Sequence, residues 1–239
     1  MKNLSALLLG VWLLAYTTAL PAQDTRKSDV LLQCVERYYG TNDLLVNGRP
    51  YLPTNTRASG YPFFGNSDFY KGTLYVKDLK FEAVDIKYDI EKDQLVLRQT
   101  LTNGIPVQVI VTPALVDSFR MGANLFVQTN GISDETTGSV FLKQLYVGTL
   151  GFYQKNLKLF YPSFTQVHPF GKYGDPEVSY FLVSDGVMHE VKNKKTFLEY
   201  FGAQKRSVKK FMKQNDIRFK KATDAQFYNL LKYCDELNL

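Results

Sequence analysis

Hydrophobic and polar residues alternate in the middle of the chain, as a half-buried β-strand requires. Val84, Ile86, Tyr88 and Ile90 are separated by polar residues, so their side chains fall on one face of the predicted strand. A continuous apolar run at residues 95–97 is typical of a strand covered on both faces. Such short segments recur to about residue 191, and residues 41–191 are therefore predicted to be mainly β.

Turn dipeptides separate these predicted strands. Asn103-Gly104 and Asp185-Gly186 each stand between two apolar runs, and such dipeptides favour the tight turn of a β-hairpin. Asn130-Gly131 and Asn47-Gly48 are weaker examples. Strands joined by such short turns pair antiparallel, because parallel pairs need a long crossover. We expect an antiparallel meander of about nine to eleven strands, forming a curved sheet, half-barrel or sandwich.

Helical periodicity is found on both sides of the β region. Residues 28–40 carry apolar side chains at helical spacing, which predicts an N-terminal helix. Residues 192–239 are predicted to be helical and basic, with Gly202 ending the first helix and a capping-box pattern, Thr223 with Gln226, starting the last. The fold class is therefore α+β.

Aromatic residues are expected to fix the loop that precedes the strands. Residues 41–69 are rich in Asn, Gly, Pro and Thr, and they contain Tyr51, Tyr61, Phe63 and Phe64. These four rings would hold an otherwise polar loop against the core, because aromatic burial is strongly favourable.

The first 22 residues have the pattern of a secretory signal peptide. Lys2 precedes an apolar stretch from Leu4 to Leu20, and Ala22 is the preferred cleavage position, with Ala19 as an alternative. An uncleaved membrane anchor is the other interpretation, because the run is almost long enough to span a bilayer. Residues 23–239 then form a single α+β domain, and the protein is expected to be periplasmic, associated with the outer envelope, or secreted.

Composition narrows the possible chemistry. The chain has 239 residues, 45% hydrophobic content and 14% aromatic content, which excludes intrinsic disorder and a multi-pass membrane protein. The usual nucleophile, phosphate-loop and zinc motifs do not occur. His168 and His189 lack ligand spacing, so both are interpreted as structural, and no cofactor or metal is expected.

An acidic cluster on the predicted strand pair offers two other kinds of chemistry. Asp89, Glu91 and Asp93 provide oxygen ligands at alternate positions, which is part of a calcium loop, but the glycine and distal glutamate of such a loop are missing. A solvated hairpin tip is the favoured interpretation. Asp85 or Asp89 could also belong to a carboxylate pair of a glycan hydrolase.

Cys34 and Cys234 are the only cysteines, and both lie on the apolar face of a predicted helix. An exported protein meets oxidising conditions, so a disulfide between them is one hypothesis. Two buried free thiols are the other.

The strongest electrostatic feature is the segment 192–221, which has 11 Lys or Arg and two acids, a local charge of +9. After removal of residues 1–22, the rest of the chain has 17 basic and 21 acidic residues. The predicted middle helix carries one basic face, which consists of Lys205, Arg206, Lys209, Lys210 and Lys213. This face could bind an anionic lipid surface, a polyanionic glycan or, least expected for an exported protein, nucleic acid; a solvated helix face is the alternative.

Several runs resemble a family of exported proteins of Gram-negative bacteria with no assigned function. These runs are NGRPYLP, GYPFFG, YKGTLYV, VDIKYDIEKDQLVL, FLKQLYVGTLGFYQKNLK and the C-terminal LLKYCDEL. The resemblance as a whole would extend over residues 30–236. The resemblance implies a β-rich envelope or secreted protein and transfers no site residues.

Two functions therefore stand as expectations. The first is a non-enzymatic envelope protein that binds an amphipathic ligand, an anionic envelope surface or a partner protein. The second is a hydrolase of envelope glycans that uses carboxylates.

Overall fold

The computed structural model describes residues 48–101, 104–128, 141–162 and 164–237. The expected signal peptide at 1–22, the helix at 28–40 and the Asn130-Gly131 turn lie outside these residues. The described strands are β1 Arg49–Pro50, β2 Tyr70–Val76, β3 Leu79–Asp89, β4 Gln94–Thr100, β5 Pro106–Ile110, β6 Val116–Met121, β7 Asn124–Gln128, β8 Phe141–Val147, β9 Gly151–Leu157, β10 Phe160–Tyr161, β11 Lys172–Tyr173, β12 Glu177–Ser184 and β13 Val187–Val191. The described helices are α1 Lys194–Tyr200, α2 Lys205–Gln214 and α3 Asp224–Glu236, with 3-10 turns at Pro113–Leu115, Gly202–Gln204 and Phe219–Lys221.

Eleven of the described strands form one sheet, in the order β1-β5-β4-β3-β2-β6-β7-β8-β9-β12-β13. Every pairing in it is antiparallel, which confirms that prediction. Two meanders, β2 to β5 and β6 to β9, are joined through β2 and β6, so the chain is not one continuous meander. Strand β1 extends the sheet beyond β5, and β12 and β13 extend it beyond β9. Strands β10 and β11 form a separate pair.

The two strongest hairpin predictions are confirmed. Asp185 and Gly186 both have positive φ, 50° and 76°, as a type I′ turn requires, and they join Ser184 to its partner Val187. Strands β4 and β5 pair on either side of the other predicted turn, whose Gly104 has φ 82°.

The sheet is strongly bent between its two meanders. In a flat sheet, Ile110 at the end of β5 and Val116 at the start of β6 would be four strand spacings apart, about 19 Å. The two strands run in the same direction, so their connection must also travel a strand's length. A five-residue segment that includes a 3-10 turn cannot span this distance unless the sheet bends.

Aromatic rings fill the concave side of this bend. Phe119 stacks on Phe126 at 4.8 Å between ring centroids, and Tyr88 and Phe141 meet Phe119 edge-on at 5.3 and 5.2 Å. All four side chains are at most 1% exposed. The Tyr88 hydroxyl also donates to the Phe141 carbonyl at 3.3 Å, which joins β3 to β8 although they are not neighbours in the sheet.

The C-terminal helices begin where local side-chain hydrogen bonds define them. Thr223 Oγ1 accepts from the Gln226 N–H at 3.2 Å, and Gln226 Oε1 accepts from the Thr223 N–H at 3.0 Å, which confirms the capping box. Asn193 and Thr196 form a second capping box at α1. Because these bonds satisfy N–H groups that a helix leaves unpaired, they fix both starting points.

The three described helices cover one face of β8, β9, β12 and β13. Phe152 of β9 contacts Phe197 of α1 and Phe227 of α3, with ring centroids 5.9 and 5.3 Å apart. The Asp235 carboxylate of α3 accepts from the Tyr146 hydroxyl at 2.8 Å and from the N–H groups of Thr149 and Leu150 at 2.9 and 3.1 Å. The last helix is thereby tied to the turn between β8 and β9.

Cys234 is fully buried between α3 and the sheet. It has no disulfide partner among the described residues, and Cys34 lies outside them, so the structure does not support the predicted bridge. Burial, helped by the neighbouring Asp235 charge, raises the pKa of the Cys234 thiol to about 12.

A thiol in this environment should be unreactive in the folded protein, because the thiolate is the reactive form and the sulfur is inaccessible. In a Cys34→Ser variant, we expect Cys234 to react with a maleimide only after unfolding in guanidinium. Rapid labelling of the native variant would contradict the buried position of Cys234.

None of the described helices is long and apolar enough to cross a membrane.

Candidate functional site

Helix α2 turns its basic face to solvent because its apolar residues are fixed on the other side. Val208 and Met212 are completely buried, and the Phe211 ring stacks on Tyr233 of α3 at 4.2 Å with an interplanar angle of 11°. These contacts set the rotation of the helix about its axis. The separation of apolar and basic faces that was predicted from the sequence is present in the structure.

Four of the five predicted basic residues line one groove, of about 390 Å³. Arg206, Lys209, Lys210 and Lys213 contribute from α2, and Lys194 contributes from the start of α1. Lys205, the fifth predicted residue, is half-buried and does not line the groove. We call the five lining residues the cationic groove.

Lys194 is the member that sequence reasoning missed. It belongs to the basic segment, but it lies on a different helix from the others, so helical periodicity could not group it with them. The 3-10 turn at Gly202–Gln204 connects α1 to α2, and the packing of the two helices brings Lys194 to this position.

No carboxylate neutralises the cationic groove within the part of the chain that the structure describes. Glu199 pairs with Lys195 at 3.9 Å and Asp216 pairs with Arg218 at 3.4 Å, so the two acids of the basic segment are engaged outside the groove. None of the five lining residues forms an ion pair with a described residue. Five unpaired positive charges around one small depression repel one another, and an anion bound among them would relieve that repulsion.

The acidic cluster does lie at the tip of the β3–β4 hairpin, but the expectation that it is solvated was wrong for Asp89. Asp89 is completely buried. Its carboxylate accepts from the Tyr51 hydroxyl at 3.1 Å and from the N–H groups of Glu91 and Lys92, both at 3.1 Å. The two N–H bonds stabilise the turn between β3 and β4, and the Tyr51 bond attaches the preceding loop to it, so Asp89 has a structural explanation.

A loop segment that precedes β2 covers Asp89. Tyr51 and Phe63 are buried as expected, whereas Tyr61 and Phe64 are only partly buried. Lys158, 6% exposed, donates from Nζ to the carbonyls of Tyr61 and Phe63 at 3.1 and 3.2 Å. The predicted attachment of this loop is therefore present, with a buried lysine as an additional contact.

Asp85 is also engaged. Lys71 lies 2.8 Å from one carboxylate oxygen and Arg98 lies 3.0 Å from the other. Neither predicted carboxylate faces an open site, and the described residues contain no group of three or more His, Cys, Asp or Glu that could hold a metal ion.

The two carboxylates should respond to pH with opposite signs. Burial is the largest influence on Asp89 and raises its pKa, although hydrogen bonds from Lys92, Tyr51 and Glu91 act against it. At Asp85 burial also raises the pKa, but hydrogen bonds from Lys71 and Arg98 outweigh it and hold the pKa below its ordinary value.

The stabilising contribution of Asp89 is therefore complete below its unfolded pKa, about 3.9, and is lost as pH rises through the higher folded value. That of Asp85 is present above its unfolded pKa and is lost as pH falls through the lower folded value. We expect the free energy of unfolding of the wild type, relative to that of Asp89→Asn, to fall as pH rises. Relative to that of Asp85→Asn, it should fall as pH is lowered. Urea unfolding between about pH 3.5 and 7.5 measures both, and equal slopes would contradict the assignment.

The histidines have structural surroundings. His168 Nδ1 lies 2.8 Å from Ser59 Oγ, which joins two loops, and among the described residues no carboxylate hydrogen-bonds its ring. His189 packs against Tyr200 at 5.6 Å between ring centroids. A nucleophile activated by a histidine would need a third group to orient that histidine, and the described residues provide none.

The cationic groove is therefore the candidate site. Comparison of the chain with models of protein families, with curated proteins and with solved structures found no match in any of the three.

Proposed function

We propose that this chain is a non-enzymatic binding protein whose cationic groove holds an anionic ligand. The observation that carries the proposal is the set of four lysines and one arginine around a groove of about 390 Å³, without a carboxylate partner among the described residues. A solvated basic helix face would not need a contribution from a second helix, whereas Lys194 of α1 extends the groove beyond α2.

The dimensions of the groove favour a ligand with more than one anionic group. Its volume is within the range of about 300–1,000 Å³ that is common for small-molecule sites. Arg206 and Lys213 are seven residues apart on α2, which places their Cα atoms about 10.5 Å apart along the helix axis. Phosphate is well suited, because arginine binds it with paired N–H donors and lysine binds it as a point charge.

Export gives the proposal its setting. The N-terminal 22 residues have the pattern of a signal peptide, from which we infer export to the cell envelope. In the cell envelope, phosphorylated or otherwise anionic glycolipids and polymers would be the available ligands, and nucleic acid is the least expected partner.

The other expected functions receive less support. An amphipathic ligand inside the bent sheet would compete with Tyr88, Phe119, Phe126 and Phe141, which pack on one another there. A glycan hydrolase would need free carboxylates, whereas Asp85 and Asp89 are both engaged in structural contacts.

Calorimetric titration with phosphate anions of increasing charge tests the proposal. We expect tripolyphosphate to bind at least about tenfold more tightly than orthophosphate, and its affinity to fall as salt screens the groove. A neutral oligosaccharide serves as the control and should produce no heat of binding. Equal affinity for all three probes, or no binding at low salt, would refute the proposed function.

A further inference from the structure

Exposed apolar side chains are concentrated in one stretch of the chain, away from α2 in sequence. Twelve large apolar side chains are exposed among the described residues, and five of them fall between positions 159 and 170. Among these five, Val167 at 78% and Phe164 at 69% are the most exposed, followed by Tyr161 and Phe170 at 42% and 40%. We call these four residues the aromatic loop; Tyr161 ends β10, and the other three lie between β10 and β11.

The aromatic loop is held in a defined position. In the β10–β11 pair, Phe160 lies opposite Tyr173 and Tyr161 lies opposite Lys172. Ser59 Oγ lies 2.8 Å from Nδ1 of His168 in the loop. Gly171 has φ 79°, and a Cβ there would collide with the Phe160 ring, so only glycine fits this turn. These contacts hold the two ends of the loop and His168 in place.

Positive charges lie close to the aromatic loop, and the next acids in the sequence, Asp175 and Glu177, follow β11. No Asp or Glu occurs between Lys158 and Gly174. Lys172 is exposed at one end of the loop, and the guanidinium of the exposed Arg57 lies 4.0 Å from the centroid of the Phe170 ring. The surface therefore combines apolar tips with cations and has no carboxylate within its own segment.

We propose that the aromatic loop docks on a lipid bilayer with anionic headgroups. Aromatic and aliphatic side chains are stable at the boundary between headgroups and acyl chains, and nearby Arg and Lys residues are attracted to anionic lipids. A bilayer accepts isolated apolar side chains without a complementary surface. The loop can dock whether or not the cationic groove binds phosphate, so this inference goes beyond the proposed function.

A second copy of the chain fits this surface less well. The exposed parts of four such side chains amount to a few hundred Å², on the basis of roughly 150–250 Å² for a whole aromatic side chain. A stable dimer buries about 800 Å² on each partner.

Fluorescence of a tryptophan placed on the loop gives the first test. In a Trp12→Phe background, the tryptophan introduced by Phe164→Trp should emit at shorter wavelength when vesicles of phosphatidylcholine and phosphatidylglycerol are added. Brominated acyl chains in these vesicles should quench that emission. Val147→Trp replaces a residue that is 55% exposed at the end of β8 and serves as the matched control, which should show neither change. Emission from the Phe164→Trp variant that is neither shifted nor quenched would overturn the proposal.

Co-sedimentation with the same vesicles gives the second test. We expect Phe164→Ser with Val167→Ser to lower vesicle binding at least about tenfold and to leave the affinity for tripolyphosphate unchanged. Lys209→Glu with Lys210→Glu, added to the Phe164→Trp variant, should weaken tripolyphosphate binding but retain the quenching by brominated lipid, which separates the two surfaces. Undiminished vesicle binding by the serine variant would overturn the proposal. It would also be overturned if the wild type were a dimer and the serine variant a monomer, because the loop would then be a dimer interface.

Discussion

Reversal of two charges in the cationic groove, Lys209→Glu with Lys210→Glu, should lower the affinity for tripolyphosphate on the order of 100-fold at about 50 mM salt. Each substitution removes an attraction and adds a repulsion, and both residues line the groove without a carboxylate partner among the described residues. The salt dependence of the remaining binding should be shallower, because fewer cations contribute to it. Calorimetry at two salt concentrations measures both effects.

A variant with the same change in net charge provides the control. Lys220 and Lys221 are exposed and belong to the same basic segment, but they do not line the groove. Lys220→Glu with Lys221→Glu should therefore change the affinity by only a few-fold, through long-range electrostatics. If both double variants lost affinity equally, binding would depend on overall charge, and the groove would not be the site.

Truncation of Phe119 should have the largest effect on stability, with Phe119→Ala lowering the free energy of unfolding by about 3–5 kcal/mol. Its ring is completely buried and contacts three other aromatic rings, at centroid distances of 4.8 to 5.3 Å. Rings from different strands surround it, so the cavity cannot close by the movement of one side chain. Urea unfolding followed by circular dichroism measures the difference.

Phe164→Ala is the matched control for that substitution. The same atoms are removed, but the side chain is 69% exposed, so the free energy of unfolding should change by less than about 0.5 kcal/mol. A loss at Phe119→Ala no larger than the loss at Phe164→Ala would show that the concave side of the sheet is not a well-packed core.

The features that the sequence predicted correctly are encoded within a few residues. Asp185 and Gly186 both adopt positive φ, and this local preference fixes the hairpin before any distant contact forms. The capping box of Thr223 and Gln226 is equally local, because both partners lie within one helical turn.

The features that the sequence did not reveal depend on contacts between distant residues. Asp89 alternates with apolar positions and therefore looked solvent-exposed, but Tyr51, 38 residues earlier, covers it and donates to it. Lys194 reaches the cationic groove through the packing of α1 against α2. The pairing of β6 with β2 likewise has no local sequence pattern, because it depends on how the short connection between β5 and β6 crosses the bent sheet.

The carboxylate of Asp235 has a consequence for the timing of folding. The N–H groups of Thr149 and Leu150 obtain their acceptor from a residue that the ribosome adds 86 and 85 positions later. During synthesis, the turn amides of the β8–β9 hairpin therefore bind water until α3 has been made and Asp235 can replace it. Bringing residues 85 positions apart into contact is slow, because the conformational entropy of the intervening chain must be lost before the contact forms. The contact between the β8–β9 turn and α3 should consequently form late, only after α3 has been synthesised.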